Sequence, residues 1–149
     1  MICTFDSNVL VYALVKPPEP RGERARELIM RASGANTVIL LLQALAEFSY
    51  VAMRKYRLGS SEIRYRTDAL RQAIPVEPAA EQDLLDALDL VRDHRIAFWD
   101  ALMCATAGRA GLHYLLSEDM QDGRRFGART IVNLFRPENA ALIDRILPP

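Results

Sequence analysis

Cysteine and histidine are scarce in this sequence of 149 residues. The two cysteines, Cys3 and Cys104, lie far apart, so a disulfide framework and a four-cysteine zinc site are both excluded. The two histidines, His94 and His113, do not cluster with the cysteines, which also argues against zinc. We expect Cys3 and Cys104 to be small buried hydrophobic residues in a reducing compartment.

Long hydrophobic runs are also absent. No apolar stretch approaches the ~18 residues that a transmembrane helix requires. The apolar stretch 9–15 has no basic segment before it, and the acidic residue Asp6 lies shortly before it. It therefore does not have the form of a signal peptide. The sequence therefore predicts a cytoplasmic protein without membrane contact.

Net charge is absent as well, since 19 Lys and Arg balance 19 Asp and Glu. This balance argues against the broad basic surface of many nucleic-acid-binding proteins. It conceals two segments of opposite charge. In 54–71 six basic residues outnumber two acidic ones, and in 77–93 six acidic residues accompany only Arg92. For the acidic segment, a solvated helix face is the simpler interpretation.

The basic segment has two interpretations. Tyr56 and Tyr65 are interleaved with its basic residues, and single-stranded nucleic acid is bound by such combinations of phosphate contact and base stacking. The same pattern also fits an ordinary solvated helix face. The candidates for RNA contact are Arg54, Lys55, Arg57, Arg64 and Arg66.

Apolar runs typical of strands alternate with stretches of helical spacing. Strands are predicted at 2–5, 37–41, 73–76, 113–117 and 130–132. Helices are predicted at 9–14, 22–32, 43–56, 62–72, 80–93, 98–110 and 137–146, with an extended loop at the prolines of 16–20. This alternation predicts an α/β fold with a mainly parallel sheet. The length and the lack of a linker predict a single domain over 1–149.

Four acids occur at positions where a ligand site is expected. Asp6 and Asp119 each follow a predicted strand, and Glu47 and Asp100 lie near the starts of apolar helices. Ligands bind outside the carboxyl ends of strands in open parallel sheets, so all four acids could meet there. Each acid also has an ordinary explanation: a helix cap or turn, an internal pair with arginine, or a favourable position in a helix dipole.

Together the four acids indicate a metal site. Carboxylates packed closely repel one another and take up protons unless a cation neutralises them. Ligand oxygens without nitrogen or sulfur favour Mg²⁺ or Mn²⁺, and acid-only sites of this kind are typical of phosphodiester cleavage. The predicted catalytic and metal-binding residues are Asp6, Glu47, Asp100 and Asp119.

The ordered set of these residues resembles the PIN domain family. Residues 4–10 (TFDSNVL) are similar to the family's opening, and Glu47, residues 100–102 and residues 117–119 match its later acids in order and approximate spacing. The resemblance extends from residue 2 to about 135. A compact protein of this kind resembles the toxin ribonuclease of a bacterial type II toxin–antitoxin pair (VapC-like).

The resemblance implies a three-layer fold with a central, mainly parallel five-stranded sheet flanked by helices, and Mg²⁺- or Mn²⁺-dependent endoribonuclease activity. By the family pattern the metal-binding acids are Asp6, Glu47, Asp100 and Asp119. Asn8 and Ser117 are supporting residues, and Asp122 either adds a ligand or only makes the turn before Gly123. The implied partners are an RNA substrate, a second copy of the chain in a homodimer, and an antitoxin whose tail covers the active groove.

Other functions stay open at this point. A non-catalytic interaction module would keep the PIN fold without its chemistry, although all four acids are present. A metal-dependent DNA nuclease fits the same acids, because phosphodiester chemistry does not reveal the sugar. A phosphatase with an aspartyl nucleophile is disfavoured, since it needs a second acid where this chain has Asn8. Glycine-rich nucleotide-binding motifs are absent.

Overall fold

The computed structural model of the protein describes residues 2–15 and 19–149. Its α-helices are α1 (Ser7–Leu14), α2 (Pro20–Ser33), α3 (Leu42–Arg54), α4 (Ser60–Ala73), α5 (Glu81–His94), α6 (Phe98–Arg109) and α7 (Ala140–Ile146), with a 3₁₀ turn at Pro137–Asn139. Its strands are β1 (Cys3–Phe5), β2 (Leu40–Leu41), β3 (Val76–Glu77), β4 (Tyr114–Leu116), β5 (Arg125–Phe126) and β6 (Arg129–Val132). Most of the predicted proline loop lies outside the described residues, and Pro20 begins α2.

The sheet is mainly parallel, as the sequence predicts. Its four-stranded part has the order β1-β4-β6-β5, in which β1 and β6 run parallel to β4. The parallel pair β2-β3 joins the edge at β1 through a bridge between Cys3 and Val38, and the backbone N–H of Cys3 donates to the carbonyl of Thr37 at 2.9 Å. Parallel strands therefore occur near all five predicted positions, although β2 and β3 have only two residues each and form a separate pair. The third strand is Val76–Glu77 rather than 73–76, because α4 continues to Ala73.

Strand β5 is an addition that the sequence analysis did not predict. It pairs antiparallel with β6, and the pairing of Phe126 with Arg129 leaves a two-residue turn at Gly127 and Ala128. Gly127 has a φ of +60°, which suits the first turn position of a type II′ hairpin, where glycine is preferred. Phe126 is fully buried, so this short hairpin closes one edge of the core.

Helices cover both faces of the sheet. Side chains along a strand alternate between its faces. Leu115 belongs to the same hydrophobic cluster as Met103 of α6, whereas Leu116 belongs to the cluster that contains Leu10 of α1 and Phe48 of α3. This arrangement gives the three layers of the expected fold. It also explains why the central strands are almost wholly apolar.

The two cysteines lie in these core layers, Cys3 on the side of α1 and Cys104 on the side of α6. Both are buried free thiols. Burial raises the pKa of each to about 12, as expected of unreactive core residues. In the described part of the chain, no helix combines the length and apolar character needed to cross a membrane.

Helix α5 is attached to α6 by small side chains and by one ion pair whose acid is buried. Ala87 of α5 packs against Ala101 and Ala105 of α6. At the end of α6, Nε of Arg109 donates to both carboxylate oxygens of Asp83 at 3.0 Å, and Asp83 is fully buried. Asp83 is therefore not part of a solvated face, contrary to the simpler interpretation of the acidic segment.

Candidate active site

The carboxyl ends of β1 and β4 lie side by side because Phe5 pairs with Leu116. The next residue of each strand continues this contact: the backbone N–H of Asp6 donates to the carbonyl of Leu116 at 3.0 Å, and the hydroxyl of Ser117 donates to Oδ2 of Asp6 at 2.8 Å. The register of these two strands therefore brings together two of the residues that the sequence analysis singled out.

Asp6 caps a helix and also belongs to a charged cluster. Its Oδ1 accepts from the backbone N–H of Ser7 at 2.6 Å at the start of α1, and the residue is only 6% exposed. Burial raises the pKa of the Asp6 carboxyl above its usual range, and the negative charges of Asp119 and Glu47 add to this effect, while hydrogen bonds from Ser117 and Ser7 oppose it. The capping role and the ligand role are thus compatible.

Glu47 of α3 is oriented by two neutral donors. The hydroxyl of Ser7 donates to Oε2 at 3.2 Å, and Nε2 of Gln43 donates to Oε1 at 2.7 Å. The same amide of Gln43 donates to the carbonyl of Trp99 in α6 at 2.8 Å, so it links the helices that carry Glu47 and Asp100. Glu47 forms no ion pair with an arginine among the described residues.

Asp100 and Asp119 complete the predicted set. Asp100 lies in the first turn of α6, half-buried, and accepts no hydrogen bond from the described residues. Burial raises the pKa of its carboxyl, and the charges of Glu47 and Asp119 raise it further. Asp119 is exposed, and its carboxylate accepts from the side-chain amide of Asn8. The structure therefore brings all four predicted acids within electrostatic range at one end of the sheet.

The donor set of this cluster fits a hard divalent cation. It offers carboxylate oxygens without nitrogen or sulfur, and a cation would relieve the repulsion that raises the pKa of Asp6 and Asp100. In their present rotamers, however, the described residues include no group of three or more acids, histidines or cysteines that could hold a metal ion. Neutral donors occupy oxygens of Asp6, Glu47 and Asp119 instead.

Asp122 is engaged elsewhere. Its carboxylate accepts from the backbone N–H of Asn133 at 2.7 Å and from the amide of Asn139 at 2.9 Å, and it lies 3.5 Å from the guanidinium of Arg136. These contacts tie the turn after β4 to the C-terminal part of the chain. Asp122 thus has a structural role, and its role as a further metal ligand stays a prediction.

The basic residues divide into two groups. Arg66 of α4 is paired with Glu62, one turn away on its own helix. The others make no ion pair in the described part of the chain; these are Arg54, Lys55, Arg57 and Arg64. Arg54 follows Glu47 by two helical turns, which places it on the same face of α3, about 10 Å further along the axis.

Sequence reasoning missed Ser7 and Gln43. The signal for Ser7 was its position directly after Asp6, where a hydroxyl at the start of a helix can reach the cluster. Gln43 lies one turn before Glu47, and a glutamine at this spacing from an acid often forms a side-chain hydrogen bond. Its second bond, to the carbonyl of Trp99, spans 56 residues and has no local signal.

A family model described as the PIN domain matches residues 3–121 of the chain. No curated protein matches the sequence significantly.

Several solved structures are similar in fold. Mycobacterium tuberculosis VapC20, a Sarcin-Ricin loop cleaving toxin, is 21% identical, with a TM-score of 0.62, 78% of this chain covered and 89% of that chain covered. A toxin–antitoxin complex from Klebsiella pneumoniae is 16% identical, with a TM-score of 0.65 and coverage of 89% and 98%. DNA-bound VapBC from Salmonella typhimurium is also 16% identical, with a TM-score of 0.65 and coverage of 90% and 98%.

Proposed function

Since the chain belongs to the PIN domain family, we propose that it is a metal-dependent endoribonuclease that acts as the toxin of a type II toxin–antitoxin pair. The observation that carries the proposal is the meeting of the four acids at the carboxyl end of the parallel sheet. The second observation in its favour is that the four acid side chains offer only oxygen atoms, which suit Mg²⁺ or Mn²⁺. The neighbouring thiol of Cys104, one turn after Asp100, is buried in the core. The proposed ligands are Asp6, Glu47, Asp100 and Asp119.

The chain's own residues would prepare this site for the ion. Ser117 and the backbone of Ser7 fix the carboxylate of Asp6, and Gln43 orients that of Glu47. Asp100 has no internal donor to displace among the described residues. A bound Mg²⁺ or Mn²⁺ supplies an activated water at neutral pH and stabilises charge on the phosphate.

RNA, an antitoxin and a second copy of the chain are the proposed partners. RNA is favoured as the substrate because a similar structure is a toxin that cleaves the Sarcin-Ricin loop, and an antitoxin because two others are toxin–antitoxin complexes. For the second copy, the supporting feature is a row of exposed leucines on α5, namely Leu84, Leu85 and Leu88, each about half exposed. The proposed phosphate contacts are Arg54, Lys55, Arg57, Arg64 and Arg66.

A non-catalytic interaction module is the second candidate, and one observation favours it. No group of three potential ligands among the described residues stands ready to hold an ion. A catalytic protein requires these carboxylates to exchange their internal hydrogen bonds for the ion, whereas an interaction module does not. The two candidates therefore differ in their response to Mn²⁺.

Cleavage assays with the purified chain test the proposal. We expect Mn²⁺-dependent cleavage of single-stranded RNA, no cleavage with a chelator, and little cleavage of DNA of the same sequence. Asp6→Asn and Asp100→Asn should each lower the cleavage rate by more than about a hundredfold, because each removes a charged ligand. Asp6→Asn should still fold, since asparagine also caps a helix.

The matched control is Asp68→Asn, an acid of α4 that pairs with Arg71 outside the cluster. It should cleave at the original rate. Full activity of Asp100→Asn would exclude the metal site, and the absence of Mn²⁺-dependent cleavage or thermal stabilisation in the original chain would favour the interaction module.

A further inference from the structure

An apolar groove opens beside the acid cluster. It lies between α3 and α6, has a volume of about 660 Å³, and is lined by Tyr50 and Trp99 together with Leu42 and Leu102. Tyr50 and Trp99 are each 61% exposed. Large aromatic rings that remain this exposed around a concave apolar surface indicate a binding site.

The groove is continuous with the acid cluster. Glu47 lines it, and Asp100 directly follows Trp99 in α6. On α3 the residues that follow Glu47 on the same face are Tyr50 and then Arg54, about 4.5 Å and 10.5 Å further along the axis. An acid, an aromatic ring and a cation therefore occur in this order along one face of α3, where Glu47 and Tyr50 line the groove and Arg54 lies one turn beyond Tyr50, outside it.

We propose that this groove binds an unstacked nucleobase of the RNA strand, next to the phosphate that is cleaved. The inference rests on the proposed nuclease function and names the form of RNA that the site accepts. Aromatic side chains bind single-stranded RNA by stacking on its bases, and this requires flat apolar walls rather than charge. Trp99 and Tyr50 provide such walls beside the acids.

The order of charges favours a nucleic acid over a protein segment as the occupant. A phosphate held at the proposed cation site of Glu47 and Asp100 would place the base of a neighbouring nucleotide beside Trp99 and Tyr50. Arg54, which has no ion-pair partner among the described residues, then lies where the strand continues. An apolar protein helix could pack against the aromatic walls of the groove. It would not use the charged groups on either side of them, which suit a phosphate, a base and a second phosphate in turn.

The proposal restricts the substrate to RNA with unpaired bases. Within a continuous duplex the bases are stacked and paired, and taking one out requires breaking its pairing and stacking. Loops, bulges and single strands present their bases without this cost. Cleavage should therefore occur in unpaired segments and stop when the complementary strand is annealed.

The single tryptophan of the chain provides a direct measure of binding. The probes are a short single-stranded RNA and the same RNA in a duplex, titrated into the chain in a chelating buffer that prevents cleavage. We expect the emission of Trp99 to be quenched in a saturable manner by the single strand and to change little with the duplex. Equal quenching by both would overturn the proposal.

Substitutions separate the groove from the rest of the surface. Measured by fluorescence polarisation of a labelled RNA, Trp99→Ala and Tyr50→Ala should each weaken the binding of single-stranded RNA by about tenfold or more, whereas Trp99→Phe and Tyr50→Phe retain most of the affinity. Tyr65→Ala is the matched control, because Tyr65 is 76% exposed on α4 but does not line the groove. Tyr65 also belongs to the basic segment, so this control distinguishes stacking in the groove from stacking on that segment.

Two results would reject the base site and leave the nuclease proposal standing. One is unchanged RNA affinity and cleavage position in Trp99→Ala and Tyr50→Ala while Asp100→Asn is inactive. The other is a Trp99→Ala chain with altered sedimentation and unaltered RNA affinity, which would identify the groove as a protein interface. If instead neither the original chain nor any variant cleaves RNA, the nuclease proposal itself fails.

Discussion

The carboxylates of the candidate site are held by neutral side chains rather than by cations. Asp6 accepts from Ser117, Glu47 accepts from Gln43, and neither forms an ion pair among the described residues. An internal arginine would have cancelled the local charge and removed any need for an ion. Hydrogen bonds from hydroxyl and amide groups fix the geometry and preserve the charge, which is the condition that a metal-binding cluster requires.

Gln43 is the residue whose role can be tested most directly at this scale. We expect Gln43→Leu to lower the affinity for Mn²⁺ by about 10- to 100-fold, because Glu47 loses a donor that orients it and α3 loses its bond to the carbonyl of Trp99. Calorimetric titration with Mn²⁺ measures this change. The free energy of unfolding should fall by only about 1 kcal/mol.

The control for this prediction is Gln82→Leu. Gln82 also donates to an acid one turn away, Asp86, at 2.9 Å, but it lies on α5 outside the cluster. Its loss should leave Mn²⁺ binding unchanged. Equal Mn²⁺ affinities in both variants and the original chain would show that Gln43 does not position Glu47.

At the scale of helices and strands, the length of the apolar pattern determined how well an element could be predicted. The long pattern predicted for α6 at 98–110 corresponds to the observed Phe98–Arg109. The two-residue strand β5 has too short a pattern to be recognised, although the glycine of its turn is a local signal. Helix α3 ends at Arg54, earlier than predicted, and Arg57 takes the left-handed conformation with φ of +58°.

The site divides in the same way. The acids after strands were predictable, because parallel strands end at a common edge and Asp6 and Asp119 follow two neighbouring ones. The donors to the acids were not, because a bond such as that from Gln43 to Trp99 depends on how helices pack. The roles of the acids as metal ligands stay predictions. For Asp83 the prediction was wrong. Its acidic segment suggested a solvated helix face, but Asp83 is fully buried.

The ion pair of Asp83 provides a prediction about how α5 is held. Asp83 accepts from Arg109 at 3.0 Å and from the backbone N–H of Ala80 at 2.7 Å. We expect Asp83→Ala to lower the free energy of unfolding by about 2 kcal/mol, because the hydrogen bonds from Arg109 and from the backbone of Ala80 are lost, while Arg109 keeps Glu77 as a partner. Urea denaturation measures the difference.

Asp86→Ala is the appropriate comparison, because Asp86 lies one turn from Asp83 but is exposed and, in the described ranges, accepts a hydrogen bond only from Gln82. Its stability should be close to that of the original chain. A similar loss in both variants would mean that helix propensity, and not the buried pair, accounts for the effect.

For the molecule as a whole, the distribution of charge is more informative than its sum. The basic segment 54–71 lies at the α3–α4 end and the acidic segment 77–93 lies mainly along α5, while the candidate cluster lies at the end of the sheet. A formal net charge of +0 still argues against strong non-specific RNA binding. A net charge of zero is nevertheless compatible with a local RNA-binding path along one face of α3, from Glu47 to Arg54.

The salt dependence of RNA binding tests this path. Each phosphate contact to a single strand contributes about 0.7 to the slope of log affinity against log salt concentration. The double variant Arg54→Gln, Lys55→Gln should therefore reduce the slope by about 1.4. Fluorescence polarisation with a labelled single-stranded RNA gives the slope, and Arg145→Gln on α7 is the control cation. An unchanged slope in the double variant would show that these two residues do not contact phosphate and belong to an ordinary solvated helix face.

The C-terminal part of the chain has a practical consequence for how the protein is produced. The family model ends at residue 121, yet β6 lies between β4 and β5 inside the sheet, and Ile143 and Ile146 of α7 are buried in the core. A recombinant fragment trimmed to the family match would lose an interior strand and one wall of the core. Inactivity of such a fragment would indicate misfolding rather than the absence of nuclease activity. The expressed protein must therefore include β6 and α7.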